Sequence, residues 1–384
     1  MGITRGSARV SRVSDRTFLM HANHFSERAE STQFIALAAE LNDSFGARSI
    51  IAFPRHSVAN NQERIDEARG LGLELLPYSS PAELRGFAKN NHVDLSFVAT
   101  DGSLTGVAYS RERPEDFRLG DSLHVLHVVF RNYAPHGDFY LYVSEWLFEW
   151  SRRQRARTKQ EIAQKSVSVG ALPYGLAPPA PRGRDFRNEL GIPKDAFVIA
   201  RIGGFDTFDD LAAHNALRKI LEQTKDVYFV AVNTATFYSH PRIMHLNYLD
   251  RSDISDFYVS FDLFLNARLE GESFGFSIAE PLSHGKPVLA PHWLRNHRMD
   301  RNHISLLQGL GLLYLNSLDL RRKIKRTMLG PAVSPSTLES RVSSYSISRL
   351  AQNLVLLCDN PSGDNVFGHG NNQRFFAPSL LPDS

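Results

Sequence analysis

Cysteine is almost absent. The 384-residue chain holds one, Cys358, so an intramolecular disulfide framework is excluded, and no Cys/His spacing of a zinc site occurs. Lysine is scarce as well, nine against 35 arginines. Arginine grips phosphate and carboxylate with a rigid fork, although genomic codon bias explains the same excess. No run reaches the ~18 apolar residues of a membrane-spanning helix. The first 18 residues are basic but lack an apolar h-region, so no secretory signal is expected and a soluble cytoplasmic protein is. A net charge of +3 does not call for a nucleic-acid partner. No Gly-x-Gly-x-x-Gly follows an apolar run, and no P-loop or His-Glu-x-x-His string occurs. Asp-x-Asp pairs suited to a divalent metal are missing too.

What remains is an ordinary globular composition, 42% hydrophobic and 22% charged, which excludes disorder for most of the chain. A single core is unusual beyond ~250–300 residues, so two domains are expected. Short apolar runs at 17–20, 49–53, 73–76, 93–98, 125–130 and 139–143 alternate with helical patterns at 31–41, 62–69 and 81–90, with Ser80 as a plausible cap. After a helix with a basic stretch at 151–159, the Pro- and Gly-rich segment 173–184 cannot hold a regular element and marks the junction. The alternation then resumes, with strands at 196–202, 227–232, 243–249, 262–266, 287–290 and 310–315. Helices are expected at 211–223, where Asp209 and Asp210 read as capping residues, around 277–283 and at 347–357. Such alternation implies an α/β protein with parallel sheets covered on both faces, here two doubly wound domains facing a central cleft.

One segment carries chemistry. Residues 261–291 read FDLFLNARLEGESFGFSIAEPLSHGKPVLAP, a strand, loop, helix, turn and strand. The helix, expected to begin near Phe274-Gly275-Phe276, points its free amides and positive dipole end at the C-terminal edge of the sheet, where open α/β sheets bind ligands. Gly275 lets backbone approach a ligand closely, and a diphosphate is the natural occupant. Glu280, set into the helix, is placed to accept hydrogen bonds from a vicinal diol such as ribose. Glu272 and Glu280 alone are a weak signal. The string Glu-Ser-Phe-Gly, four residues, Glu-Pro, then Gly-Lys-Pro-Val is a strong one.

That string resembles the E-x7-E signature of retaining GT-B glycosyltransferases, the large family 4 group. The segment 198–208 (VIARIGGFDTF) resembles the family's Gly-Arg loop, in the form of a bacterial and viral subgroup, and 124–146 resembles the same subgroup. The family's second cation, a lysine some five residues on, is replaced here by Asp206 and Thr207. The resemblance implies a GT-B fold, with an acceptor domain at 1–172, a linker at 173–185 and a donor domain at 186–335. A C-terminal helix at 336–358 packs back toward the first domain, and the tail 359–384 is loose. It implies Glu272 and His127 as catalytic residues, His127 touching the transferred sugar or the acceptor. A satisfied core histidine is the even alternative. The donor is implied to meet Arg201, Gly203, Arg268, Ser273, Phe274, Gly275, Phe276 and Glu280.

The expected substrate is a nucleotide-diphosphate sugar, with no bound cofactor and no metal required. The acceptor is a saccharide or lipid-linked glycan, in surface polysaccharide or lipopolysaccharide synthesis. The basic stretches at 151–159 and 321–326 are candidates for peripheral contact with anionic membrane, at its inner face; a solvated helix face is the plainer reading. Two other functions fit the fold: a nucleotide-sugar 2-epimerase, and a degenerate GT-B domain that binds glycan or protein.

Overall fold

The computed structural model describes residues 13–26, 29–158, 167–292 and 300–360. The expected loose tail lies outside the described residues from 361 onward, as do the side chains of the first basic stretch beyond Gln154. The chain divides into two compact units, Met1–Gly175 with Ile347–Ser384, and Leu176–Ser346.

In the first unit, β1 (Thr17–His21), α1 (Ala29–Phe45), β2 (Arg48–Pro54), α2 (Gln62–Gly70), β3 (Glu74–Tyr78), α3 (Pro81–Asn90) and β4 (Leu95–Thr100) alternate. They are followed by β5 (Leu123–Val128), β6 (Phe139–Tyr142), α4 (Glu145–Thr158) and β7 (Ser168–Ala171). The strands form one parallel sheet in the order β3-β2-β1-β4-β5-β6-β7. Its central strands are apolar on both faces, as parallel sheets covered by helices require. Polar side chains set the helix starts. Asn61 accepts from the Arg64 amide to open α2, and Ser80 accepts from the Glu83 amide to open α3.

The second unit holds α5 (Phe186–Glu189), β8 (Phe197–Ile202), α6 (Leu211–Gln223), β9 (Val227–Val232), β10 (Ile243–Leu246), α7 (Ile254–Ser260) and β11 (Leu263–Leu265). It continues with β12 (Gly271–Glu272), α8 (Phe276–Ser283), β13 (Val288–Pro291), β14 (Asp300–Arg301), α9 (Asn302–Leu307), β15 (Leu313–Tyr314), α10 (Ser317–Met328) and α11 (Pro335–Ser340). Its main sheet is also parallel, in the order β10-β9-β8-β11-β13-β15, and β12 pairs with β14 apart from it.

The last helix, α12 (Ile347–Asp359), belongs to the first unit. Leu350, Leu354 and Leu357 recur along one face and join the core cluster that holds Phe34, Leu37 and Leu41 of α1. Each such fully buried side chain contributes roughly 1.5–3 kcal/mol. Arg16, just before β1, donates to the Val355 carbonyl at 3.1 Å and pairs with Asp359.

Both sheets follow the doubly wound order 3-2-1-4-5-6, with one further strand in the first. The chain is thus an α/β protein of two Rossmann-like domains, the architecture of the GT-B fold. In each sheet the direction of winding reverses once, between β1 and β4 and between β8 and β11.

Candidate functional site

Two strands end at the switch point of the second sheet. On β8, Arg201 points its guanidinium into the following loop, where it donates to Thr207 Oγ1 at 2.7 Å, to the Gly204 carbonyl at 3.3 Å, and to Thr234 Oγ1. It also lies over the Phe208 ring, 4.9 Å from its centre. Gly203 lies against the same side chain; a Cβ there would come within 3.0 Å of Arg201 Nη2. Burial pushes the Arg201 pKa down to about 10, opposed by the charges of Glu272 and Asp209. It remains a cation at neutral pH.

On the neighbouring strand, Asn266 follows β11 directly. Its Nδ2 donates to Glu272 Oε1 at 3.0 Å and to Ser277 Oγ at 2.9 Å, and its Oδ1 accepts from the Arg268 amide at 3.3 Å. Arg268 sits 3.5 Å from Glu272 and 3.2 Å from Glu270. Burial pushes the Glu272 carboxyl up from its ordinary value, against the pull of Arg268, Asn266, Arg201 and Ser277. The two loops are tied together. The amides of Asp209 and Asp210 donate to the Ala267 carbonyl, and Asp209 accepts from the Leu269 amide at 2.8 Å. Asp210 then caps α6, as its position suggested, and accepts from Tyr314.

Two glycines make the loop possible. At Gly271 φ is +72° and a Cβ would fall 1.8 Å from the Asp300 carbonyl oxygen. Gly275, at φ +94°, is the left-handed N-cap of α8. The helix therefore opens at Phe276, within the stretch where the sequence placed its start. Ile278 and Ala279 already bond back to the Gly275 carbonyl. The first-turn amides that precede them are those of Phe276 and Ser277. Ser273 is half-buried. Phe274 is an anchor: its ring is buried against Phe276 and Tyr345, and its carbonyl accepts from Asn302 at 2.7 Å. Residues 271–275 also spell Gly-x-Ser-x-Gly, the pattern of a nucleophile elbow. Among the described residues no hydrogen bond joins Ser273 to a histidine, so the base of that chemistry is not in place.

Glu280 lies outside this group. Its Oε1 accepts from Arg251 at 2.6 Å and its Oε2 from the Tyr258 hydroxyl at 2.9 Å, and its side chain is 7% exposed. His127, the other residue that the resemblance implied as catalytic, belongs to the first unit. It lies on β5, where both faces of the strand are covered, and it is fully buried. Nε2 donates to the Leu172 carbonyl at 2.6 Å, and Phe97 and Tyr174 pack on the ring. Burial lowers its pKa to about 4. A neutral, fully buried imidazole fits the core-histidine alternative. Sequence reasoning missed Asn266 and Thr234, and read Asp209 only as a capping residue. An amide residue closing the expected strand 262–266 is the one signal that could have found Asn266.

The cluster thus sets two guanidiniums and a helix N-terminus around a desolvated carboxylate. It can hold an anion beside a group suited to stabilise developing positive charge. Among the described residues no group of three or more His, Cys, Asp or Glu could hold a metal ion.

No protein-family model matches the chain, and no curated protein matches it. Solved structures do. A glycosyltransferase from Rickettsia africae ESF-5 superposes with a TM-score of 0.66 at 15% identity, covering 90% of this chain and 98% of that one. Anabaena Alr3699/HepE, in complex with UDP and glucose, gives 0.64 at 13%, covering 90% and 99%. A protein described as a UDP-N-acetylglucosamine 2-epimerase from Listeria monocytogenes gives 0.52 at 12%, covering 94% and 99%. At these identities the likeness is one of fold.

Proposed function

We propose that the chain is a retaining glycosyltransferase of the family 4 type. It takes a sugar from a nucleotide-diphosphate donor and passes it to a saccharide or lipid-linked saccharide, in surface polysaccharide or lipopolysaccharide synthesis at the inner face of the membrane. One observation carries this reading: Glu272, held by Asn266 and Arg268 and within the field of Arg201, stands just before the N-terminus of α8 at the switch point of the second sheet. The fold likeness to HepE, whose structure contains UDP and glucose, supports a uridine nucleotide as the donor to try first.

In this mechanism Arg201 and the α8 amides hold the diphosphate, with Arg268 as the second cation where the family's lysine is missing. The bond from the anomeric carbon to the diphosphate oxygen breaks. An acceptor hydroxyl attacks from the same side, and its proton passes to the departing phosphate oxygen. Glu272 binds donor sugar hydroxyls and stabilises positive character at the anomeric carbon. Stabilisation of charge on the leaving group comes from fixed donors, which act without reorganisation, and no step needs a metal. A carboxylate offers about four lone-pair sites. Glu280 can therefore take ribose hydroxyls without giving up Arg251 or Tyr258.

The test is turnover. Donors based on UDP, GDP, CMP and dTDP are supplied with and without a mixed glycan acceptor, and nucleotide release and product configuration are read. Release that depends on acceptor, with the anomeric configuration kept, is the expected result. Conversion of the donor sugar without acceptor would instead establish the second reading, a nucleotide-sugar 2-epimerase, which the likeness to the Listeria protein favours. No binding of any nucleotide would leave a glycan- or protein-binding domain.

A further inference from the structure

The solvent face of α10 (Ser317–Met328) plays no part in the site described above. The helix buries Leu320 and Ile324 and lies beside α6. Its opposite face, at spacings of four, three and four residues, presents Leu318, Arg322, Lys325 and, just past the helix end, Leu329. Leu318 is 50% exposed and Leu329 91%. Arg326 stands exposed beside them, and Arg322, Lys325 and Arg326 form no ion pair among the described residues. Asp319 is the helix's one acid. It is occupied by Lys323 and by the Leu315 amide. Five cations against one acid in twelve residues is a strong local charge for a chain whose net charge is +3.

We infer that this face docks on an anionic lipid bilayer, with α10 lying in the plane of the interface. The cations meet headgroup phosphates, and the leucines at both ends of the stripe enter the acyl boundary. The leucines choose the partner. A nucleic acid rewards the cations through its phosphates but gains nothing from exposed leucine, whereas a bilayer rewards both. The inference does not rest on the proposed activity, because lipid binding is read without turnover.

The full chain is floated with vesicles of equal parts phosphatidylcholine and phosphatidylglycerol, and with phosphatidylcholine alone. It is expected to float with the anionic vesicles at low salt, to be released at high salt, and to stay behind with phosphatidylcholine. Each surface cation contributes roughly fivefold to binding, so the combined Arg322→Glu, Lys325→Glu and Arg326→Glu variant loses about a hundredfold or more. Leu318→Ser with Leu329→Ser weakens what the cations retain. No flotation at low salt, equal binding to both vesicles, or a charge-reversed variant that binds like the parent would each overturn the inference. An unchanged double-leucine variant would also overturn it, since the attraction would then be that of any polyanion. Melting temperatures check that the variants fold, and the lipid and salt dependence of the parent chain tests the idea without them.

Discussion

The two sheets share a strand order but finish their switch points differently. In the first, β1 ends in His21, fully buried. Its Nε2 is 2.9 Å from the Tyr78 hydroxyl, and its ring lies edge-on to Tyr109. Burial lowers its pKa to about 3, so it is neutral. In the second, β8 ends one residue past Arg201, which stays charged beside Glu272. The same topology supports an uncharged, sealed edge in one unit and a charged edge in the other. Fold alone does not make a site; the side chains at the strand ends and the loop after β11, broken by two glycines, do.

Breaking the charged edge at its centre is expected to have the largest effect. Glu272→Gln keeps shape and one acceptor oxygen but removes the charge, and on the proposed reading it lowers kcat by a hundredfold or more with nucleotide affinity kept. Steady-state kinetics and calorimetry check the split. Full activity in this variant would remove Glu272 from the chemistry.

Asn266→Ala comes next. Asn266 donates to the carboxylate of Glu272, and that bond favours the ionised form. Its loss raises the Glu272 pKa further. If the ionised form is the active one, the acid limb of the pH–rate profile moves to higher pH and kcat falls roughly tenfold. A loss of activity with an unmoved acid limb would mark Asn266 as merely structural.

The sealed edge predicts a difference in acid stability. In the first unit burial lowers His21 and His124 to about 3 and His127 to about 4; in the second it lowers His303 to about 4. Each native pKa lies below the unfolded value of ~6.5, so below that pH the unfolded chain binds more protons and stability falls. Above pH 7 these groups contribute no slope. At pH 5 each costs about 2 kcal/mol. Calorimetric scans from pH 7 to pH 5 should therefore lower the transition of the first unit more than that of the second. A common shift for both would contradict the contrast.

A smaller effect is expected at Glu280. Tyr258→Phe removes one of its two partners and should lower stability by about 1–3 kcal/mol, leaving nucleotide binding within a few-fold. Chemical denaturation and titration check both parts.

Much of this was legible in the sequence. The alternation of apolar runs and helical patterns gave the parallel sheets, and the E-x7-E string marked the loop and helix of the charged edge. What was hidden arises from tertiary proximity. Nothing local tells that Arg251, 29 residues upstream, meets Glu280. His127 sits in a run, VLHVV, that reads the same whether one face of its strand is open or both are covered. The start of α8 at Phe276 falls where the Phe274-Gly275-Phe276 string placed it, but the left-handed cap at Gly275 is imposed by the folded loop. The strands expected at 243–249 and 310–315 shortened to Ile243–Leu246 and Leu313–Tyr314, where pairing stops at the sheet edges.

The central claim is that the charged edge of the second sheet, and not the sealed edge of the first, takes the nucleotide diphosphate. Calorimetric titration of UDP, GDP, CMP and dTDP into the parent chain, Arg201→Ala and His21→Phe tests it most directly. One nucleotide should bind the parent, bind Arg201→Ala tenfold to a hundredfold more weakly through loss of charge-assisted bonds to phosphate, and bind His21→Phe as it binds the parent. Equal binding to the parent and Arg201→Ala, or loss in His21→Phe alone, would contradict it.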